Sequence, residues 1–424
     1  MSRFLKLLCV SAVFGGLTAL PAQSSDLGVL TQLDVCSALG LTGLTISSQT
    51  NCLQVSGEVK YEFIIGDYRD WYRPVATLAS KAGHDGIIAG NGLLDWRSSV
   101  DTQLRFVGTA DSDFGRVQGV IRIDGRERPS VKDLVFEKTD TFLKLEHAYI
   151  TAGDTTVLSA GLKGSITNKD DDTAFTYQKL FNQDAVSGVS YNSATPKVDI
   201  KDGGHVIQVV HNLGDGWSVG AAAEKLDTTG TAVGVVNYAS KTLTAHATVV
   251  ASDILTGTIG NWGVHAGATA VIDKARLRGA IAFNDLGWWN ALVSASYSFD
   301  GFTLAVAGEA TSAEEYGAGA SFTSKLTDGI TLNIGSRMFR ESNGDVAIDS
   351  VAAIKSALGE GLSVELGAGY IAESEKTDGT LYALGLLSWA PGGGFVADVE
   401  GRVNRIAAQP LGYQLKVTAK KAFN

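Results

Sequence analysis

The sequence is poor in cysteine, proline and methionine, and it lacks the long apolar runs of a helical membrane protein. Its 424 residues include 3 cysteines, 6 prolines and 2 methionines. Beyond the first two dozen residues no apolar run reaches the roughly 18 residues that a spanning helix needs, which excludes a membrane protein built from helices. Positive charge is also scarce, with 35 Lys and Arg against 45 Asp and Glu. We therefore expect no nucleic-acid partner, because phosphate binding needs a basic face.

Glycine, in contrast, is abundant. The chain has 50 glycines and a mean hydropathy of +0.09. High glycine without proline or a Gly-X-Y period is typical of neither collagen nor a disordered linker. A slightly hydrophobic, charged, glycine-rich chain without spanning helices leaves few classes, and one of them is a membrane β-barrel.

The first residues have the pattern of a secretory signal. Arg3 and Lys6 precede the apolar stretch Leu7–Leu20, and Pro21-Ala22 ends it with small residues. We predict a signal peptide over residues 1–22, the alternative being a short buried helix. Its removal changes the net charge from −10 to −12, because it carries two basic residues and no acidic one.

Cys36 and Cys52 remain as an even pair in an exported chain. A disulfide between them would close a loop of about 15 residues and could stabilise the fold by roughly 3 kcal/mol in the chain-entropy model. A metal site would instead need several His or carboxylate neighbours, and only Asp34 is close. We favour a structural disulfide within a periplasmic leader over residues 23–52.

From Leu53 onward, apolar and polar residues alternate. Val59, Tyr61 and Phe63 share one parity, while Lys60 and Glu62 share the other. Such alternation places one face of a strand in an apolar medium and the other in water. The same pattern recurs in four later segments: residues 302–309, 330–338, 362–370 and 413–423. Counting candidate segments gives about twenty strands over residues 53–424, with strands of about ten residues being long enough to cross a bilayer.

Tight turns separate these segments. Asp300-Gly301, Asp328-Gly329 and Gly359–Gly361 recur roughly every thirty residues, the spacing of two membrane-crossing strands with their connections. The intervening connections, such as residues 341–345 and 373–378, are longer and polar. Short turns on one side and longer loops on the other are typical of outer-membrane barrels.

A soluble β-sandwich would also alternate, but it would fill its inner parity with bulky apolar residues. Here the alternate positions that face water, which we call the wet parity, carry small and charged residues, among them Glu309, Arg337, Gly367 and Gly369. Aromatic residues gather at strand ends, as an interfacial girdle requires. These include Trp217, Trp289, Tyr297, Tyr370 and Trp389. We therefore predict an all-β, transmembrane antiparallel barrel with a water-filled lumen.

The segments Val35–Gly40 and Asn51–Lys60 resemble the start of alphaproteobacterial porins, in which a cysteine-paired leader opens into a first strand with a Gly-x-Val-basic pattern. The likeness continues through Trp96-Arg97, Val117–Asp124 and His147–Ile150, and is firm over about residues 30–160. It implies a homotrimeric, sixteen-stranded diffusion channel whose third external loop folds into the lumen. Together with the segment count, the expectation is a barrel of 16 to 20 strands with one loop inside.

The resemblance also implies the function and partners. We expect an outer-membrane porin that passes small hydrophilic solutes and ions by diffusion, in contact with outer-membrane lipid and lipopolysaccharide, without a cofactor.

A porin constriction is set by charged side chains on opposite sides of the lumen. The candidate loop, Gly164–Gly204, carries the acidic residues Asp170, Asp171, Asp172 and Asp184. The candidate basic wall consists of Lys60, Arg97, Arg105, Arg122 and Lys144. The alternative for the three-acid run is a solvated loop tip. The overall negative charge suggests a mild cation preference.

Two other classes stay open. An outer-membrane lipid hydrolase would need a Ser-His pair facing lipid, whereas Ser218 of the Gly-x-Ser-x-Gly motif at Gly216–Gly220 has the wet parity. A secreted β-rich adhesin would share the signal and the glycine content, but it would extract without detergent. The scattered histidines indicate no metal site; His205 and His211 lie six residues apart on one segment.

Overall fold

The computed structural model of the protein describes residues 35–68, 90–167, 173–178, 180, 203–374, 379–406 and 410–424. The signal sequence predicted over 1–22 lies outside this range. A short helix, α1 (Val35–Ala38), precedes the strands. The strands are β1 (Thr45–Ser47), β2 (Cys52–Asp67), β3 (Asp95–Ser112), β4 (Gly115–Lys132), β5 (Val135–Ala152), β6 (Thr156–Leu162), β7 (His205–Gly214), β8 (Trp217–Glu224), β9 (Thr231–Ala239), β10 (Leu243–Ser252), β11 (Trp262–Ile272), β12 (Ala275–Asn284), β13 (Trp289–Ser298), β14 (Phe302–Thr311), β15 (Tyr316–Thr327), β16 (Ile330–Arg340), β17 (Val346–Gly359), β18 (Leu362–Glu373), β19 (Thr380–Gly392), β20 (Phe395–Ile406) and β21 (Gly412–Phe423).

The strands form one closed antiparallel barrel. Each strand from β2 to β21 pairs with its neighbours in sequence, and β21 returns to pair with β2 from Gly57↔Phe423 to Asp67↔Tyr413. Because β1 is a three-residue strand attached only to β2, the barrel itself has twenty strands. The count from alternation is confirmed, and the sixteen strands implied by the resemblance are wrong for this chain. No helix among the described residues has the length and apolar character to cross a membrane.

The two parities face opposite media as predicted. Large apolar side chains point outward and are exposed, for example Val293 at 63% and Leu366 at 61%. Aromatic residues mark both edges of this outer surface: on β13, Trp289 and Tyr297 stand eight residues apart, about 26 Å along the strand. Because barrel strands tilt by about 35–45° from the axis, this length along the strand corresponds to a belt about 20 Å tall. An apolar belt between two aromatic girdles is the outer surface of a transmembrane barrel.

The connections are asymmetric. On the side where β2 begins and β21 ends, all turns are short, such as Asp215-Gly216, where both residues adopt positive φ, and Asp328-Gly329, where the glycine does. The opposite side carries the longer connections, with the two-residue turn between β4 and β5 as an exception. The third connection on that side, between β6 and β7, turns into the barrel, as the resemblance implies.

The leader closes the barrel seam on the short-turn side. Cys36 and Cys52 form the predicted disulfide, which joins α1 to the first residue of β2. β1 pairs with Cys52–Gln54, and β21 pairs with the same edge of β2 from Gly57 onward. The leader thus continues the line of β21 along β2, which leaves little of this edge unpaired.

Candidate functional site

One arc of the lumen is lined with charged side chains. It comprises β2 to β5 together with β20 and β21, and we call it the ionic wall. Its inward charged residues that form ion pairs include Glu58, Lys60, Glu62, Arg97, Asp101, Arg122, Asp124, Arg126, Lys144, Glu146, Glu400, Arg402, Lys416 and Lys420. These residues occupy the parity opposite to the exposed apolar side chains, so alternation alone brings them into the lumen.

The side chains of the ionic wall form ion pairs that remain in contact with water. Glu62 accepts from Lys60 Nζ at 3.1 Å and from Arg97 Nη2 at 3.0 Å. Arg122 donates two hydrogen bonds to Asp124, from Nε to Oδ1 at 2.8 Å and from Nη2 to Oδ2 at 2.7 Å. Their side chains keep between 14% and 34% of their surface exposed. Pairs of this kind contribute about 0–1 kcal/mol to stability, so their main physical effect is the field they set across the lumen.

Arg105 differs from the other predicted basic residues. Its direct cross-strand partners are Ser56 on β2 and Arg122 on β4, and Arg122 in turn stands opposite His147 on β5. Arg122 is neutralised by Asp124, whereas no carboxylate of the described chain lies within ion-pair distance of Arg105. Among the described residues, Arg105 is therefore the one predicted basic residue without a carboxylate partner.

The connection between β6 and β7, which we call the inward loop, begins by bonding to the barrel wall. Lys163 Nζ donates to Gln208 Oε1 at 2.8 Å, and Gln208 Nε2 donates to Gly164 O at 2.9 Å. The Ile166 amide donates to Glu224 Oε1 at 2.9 Å. Burial lowers the pKa of Lys163, an effect that the nearby Glu224 carboxylate opposes. These bonds hold the start of the loop against β7 and β8.

The middle of the inward loop crosses β12 to β15. The Phe175 amide donates to Ser294 Oγ at 2.9 Å, and the Tyr177 amide donates to Ser321 Oγ at 3.0 Å. The Phe175 ring contacts two guanidinium groups, with Arg276 Cζ at 4.3 Å and Arg278 Cζ at 4.6 Å from its centroid. Such cation–π contacts and side-chain acceptors fix the loop on the wall by both its backbone and its aromatic ring.

Further along, the inward loop reaches two acidic residues of the wall. Tyr177 Oη donates to the partly buried Glu365 Oε1 at 2.8 Å, and burial together with this bond raises the pKa of Tyr177. Gln178 Nε2 donates to the buried Asp349 Oδ2 at 2.7 Å. Asp349 also accepts from Arg337 Nε at 3.0 Å and from Tyr382 Oη at 2.9 Å. The loop therefore bonds to a buried ion pair, and beyond it Leu180 packs on the wall in a cluster with Ala280 and Leu292.

The structure thus divides the lumen into two arcs. Lys163 at the start of the inward loop contacts Ser159 on β6 and lies 5.4 Å from the ring centroid of Tyr149 on β5. From Ile166 onward the described contacts of the loop fall on β8 to β19. The five predicted basic residues lie on β2 to β5, in the arc that these later contacts leave uncovered. The predicted acidic residues Asp170, Asp171, Asp172 and Asp184 lie outside the described residues. The pairing of these acids with the basic wall stays a prediction.

Sequence reasoning missed the residues that anchor the loop. Arg276 and Arg278 lie two apart on β12, a spacing that places both in the lumen, but nothing local indicates that an aromatic ring packs on them. Ser294 and Ser321 likewise look like ordinary small residues of a strand. Their role depends on a segment more than 100 residues away, with sequence separations of 119 and 144.

The motifs suggestive of chemistry fall in ordinary strand positions. Ser218 lies on β8 opposite Asn237, whose Nδ2 donates to Ser218 Oγ at 3.5 Å. His211 bonds Thr156 through Nδ1 at 2.6 Å. Within the described ranges no group of three or more His, Cys, Asp or Glu residues is arranged to hold a metal ion.

Comparison with known proteins finds likeness at the level of structure. No protein family matches the chain, and no curated protein matches it. OccK7 (OpdD) of Pseudomonas aeruginosa is 9% identical, over 88% of this chain and 98% of that one, with a TM-score of 0.48. Salmonella typhi OmpF in complex with daunomycin is 12% identical over 89% and 100% of the two chains, with a TM-score of 0.42. A mutant of Rh. blastica porin is 14% identical over 88% and 100%, with a TM-score of 0.36. At these values the likeness says nothing about solutes or partners of this chain.

Proposed function

We propose that the protein is an outer-membrane porin, a passive water-filled channel through which small hydrophilic solutes and ions diffuse. The observation that carries this proposal is the contrast between the two barrel surfaces. Outward side chains are apolar and exposed between aromatic edges, and inward side chains of the ionic wall are charged and still partly exposed. Charged groups keep their hydration only where water enters, so the uncovered arc of the lumen is wet.

The finer features are proposals as well. The leader resemblance supports a porin of the alphaproteobacterial type, assembled as a homotrimer in contact with outer-membrane lipid and lipopolysaccharide. The short-turn side, where the disulfide-closed leader lies, would face the periplasm, and the longer connections would face outward.

Selectivity would arise between the ionic wall and the inward loop. Lys60, Arg97, Arg105, Arg122 and Lys144 supply the basic side. The acids Asp170, Asp171, Asp172 and Asp184, carried by the inward loop, would supply the other. A transverse field of this kind orients dipolar solutes and disfavours apolar ones. Arg105 would be its strongest basic element, because it has no carboxylate beside it among the described residues.

Planar-bilayer recording tests the channel directly. Purified protein in detergent should insert as ohmic conductance steps, and a trimer should give steps that appear and close in threes. Heat-denatured protein is the control and should give no steps. A protein that extracts without detergent and leaves the bilayer silent would instead be the secreted adhesin. A silent protein that cleaves lipid ester bonds would be the barrel hydrolase.

A further inference from the structure

A cavity of about 590 Å³ lies at the short-turn rim of the barrel, between the inward loop and β9 to β12. Its lining includes Thr173 from the loop and the inward side chains Thr244, Thr269, Arg276 and Arg278. The turn between β9 and β10 adds Lys241. The cavity is thus formed by the barrel wall, a turn at the mouth and the loop together.

Among the described residues, the charged side chains that line this cavity are all basic: Lys241, Arg276 and Arg278. Arg278 is engaged by protein groups: its Nε donates to Thr269 Oγ1 at 2.8 Å and its Nη1 donates to Thr173 O at 2.7 Å. Arg276 and Lys241, by contrast, are exposed and form no ion pair with any carboxylate of the described chain. Two positive charges therefore remain available in one cavity.

The chemistry of Arg276 suits an oxyanion. Its Cζ lies 4.3 Å from the centroid of the Phe175 ring, and its side chain is exposed. A planar guanidinium presents a fork of N–H donors that matches a carboxylate or phosphate in two hydrogen bonds.

We propose that this cavity is a binding site for the carboxylate or phosphate group of a small anionic solute, with Arg276 as the bidentate donor and Lys241 as the second positive charge. The proposal rests on the proposed channel function, because the solute reaches the cavity through the lumen. The site lies on the loop-covered arc, away from the ionic wall. It would hold an anion at the short-turn mouth of a channel whose overall charge is negative.

Inorganic phosphate serves as the probe. In a chloride solution, phosphate added to either side of a single inserted channel should produce brief current blockades whose frequency and duration give a dissociation constant. Arg276→Gln and Lys241→Gln should each raise that constant about tenfold, the loss expected for a hydrogen bond to a charged group. Arg276→Lys, which keeps the charge but loses the fork, should give an intermediate value.

Lys325→Gln is the matched control. Lys325 is an exposed, inward lysine at the short-turn end of β15, outside this cavity, and it forms no ion pair within the described chain. Its replacement removes the same charge from the same end of the lumen, and should change the constant by no more than about twofold. An equal effect of Lys325→Gln would overturn the proposal, because phosphate would then respond to the general field and not to a site. Unchanged blockade in Arg276→Gln, or no blockade in the wild type, would also overturn it.

A failure of the channel function gives a different result. If the protein yields no conductance steps in chloride alone, the proposed function fails. Broadening of the phosphate ³¹P resonance by detergent-solubilised protein then tests phosphate binding at the site independently of conductance. Broadening that Arg276→Gln and Lys241→Gln abolish and Lys325→Gln retains supports the site, and its absence overturns it. Lys241→Gln touches no residue of the inward loop that is described, so its effect cannot come from a displaced Phe175.

Discussion

Removing the carboxylate of Asp349 tests what holds the inward loop to the wall. The Asp349 carboxylate accepts hydrogen bonds from Gln178 of the loop, Arg337 of β16 and Tyr382 of β19. The side chains of Arg337 and Asp349 are only 4% and 1% exposed. In Asp349→Ala a buried guanidinium would lose this carboxylate, and the loop would lose its hydrogen bond to the wall.

The magnitude follows from burial. Breaking a buried ion pair by deleting one partner costs about 3–5 kcal/mol, since water cannot replace the lost partner. The matched control is Asp124→Ala, which deletes a carboxylate with better hydrogen-bond geometry to Arg122 but with side chains 29% and 25% exposed. We expect that variant to lose no more than about 1 kcal/mol, because water solvates the freed guanidinium.

The assay is guanidinium unfolding in lipid vesicles, followed by tryptophan fluorescence. Asp349→Ala should lower the free energy of unfolding several-fold more than Asp124→Ala. The pair Arg337→Met with Asp349→Leu, which removes both charges, should recover much of the loss. In bilayers, Asp349→Ala should also add current fluctuations absent from Asp124→Ala, because the loop is less firmly held. Equal destabilisation by the two alanine variants would refute the assignment of Asp349 as a buried anchor.

Three shorter predictions concern the pore, the outer surface and the leader. Changing Asp170–Asp172 to asparagine should shift the single-channel reversal potential toward anions; unchanged selectivity would place these acids outside the pore. Leu366→Arg puts a charge on the lipid face at a cost of about 2–4 kcal/mol, and should reduce the heat-modifiable, folded fraction on gels, whereas Lys355→Arg at an exposed inward position of β17 should assemble normally; equal yields would contradict the assignment of faces. Removing the disulfide with Cys36→Ser and Cys52→Ser should lower unfolding stability by up to about 3 kcal/mol with unchanged conductance, and an altered conductance would show that the leader reaches into the channel.

Most of the barrel was predictable because alternation is a local property. Each strand must present one face to lipid and one to water, so Val59 and Lys60 reveal their surroundings without reference to other strands. The same locality explains why the count of segments gave twenty while the resemblance implied sixteen. The resemblance is firm only over about the first third of the chain, whereas the alternating strands continue to β21.

The basic side of the candidate site was predictable for the same reason, and its partners were not. The parity of Arg97 and Arg122 places both in the lumen, but the choice of Glu62 and Asp124 as their partners depends on register and rotamer. The anchors of the inward loop depend on contacts as distant as Tyr177 with Glu365, separated by 188 residues. Such contacts exist only after the barrel has closed, so no local pattern contains them.

Glycine on the inner parity marks two places where the inward loop lies close to the wall. A side chain at Gly319 would come within 2.9 Å of Leu180, and one at Gly335 within 2.9 Å of Gln178. Long inward side chains also occur on this arc, but there they stack on the loop or bond to it, as Arg276 does with Phe175 and Glu365 with Tyr177. On the ionic wall the long charged side chains pair with one another and remain partly exposed. Close packing of the loop therefore depends on glycines that leave room for its side chains, and on polar side chains that replace the hydration the loop displaces.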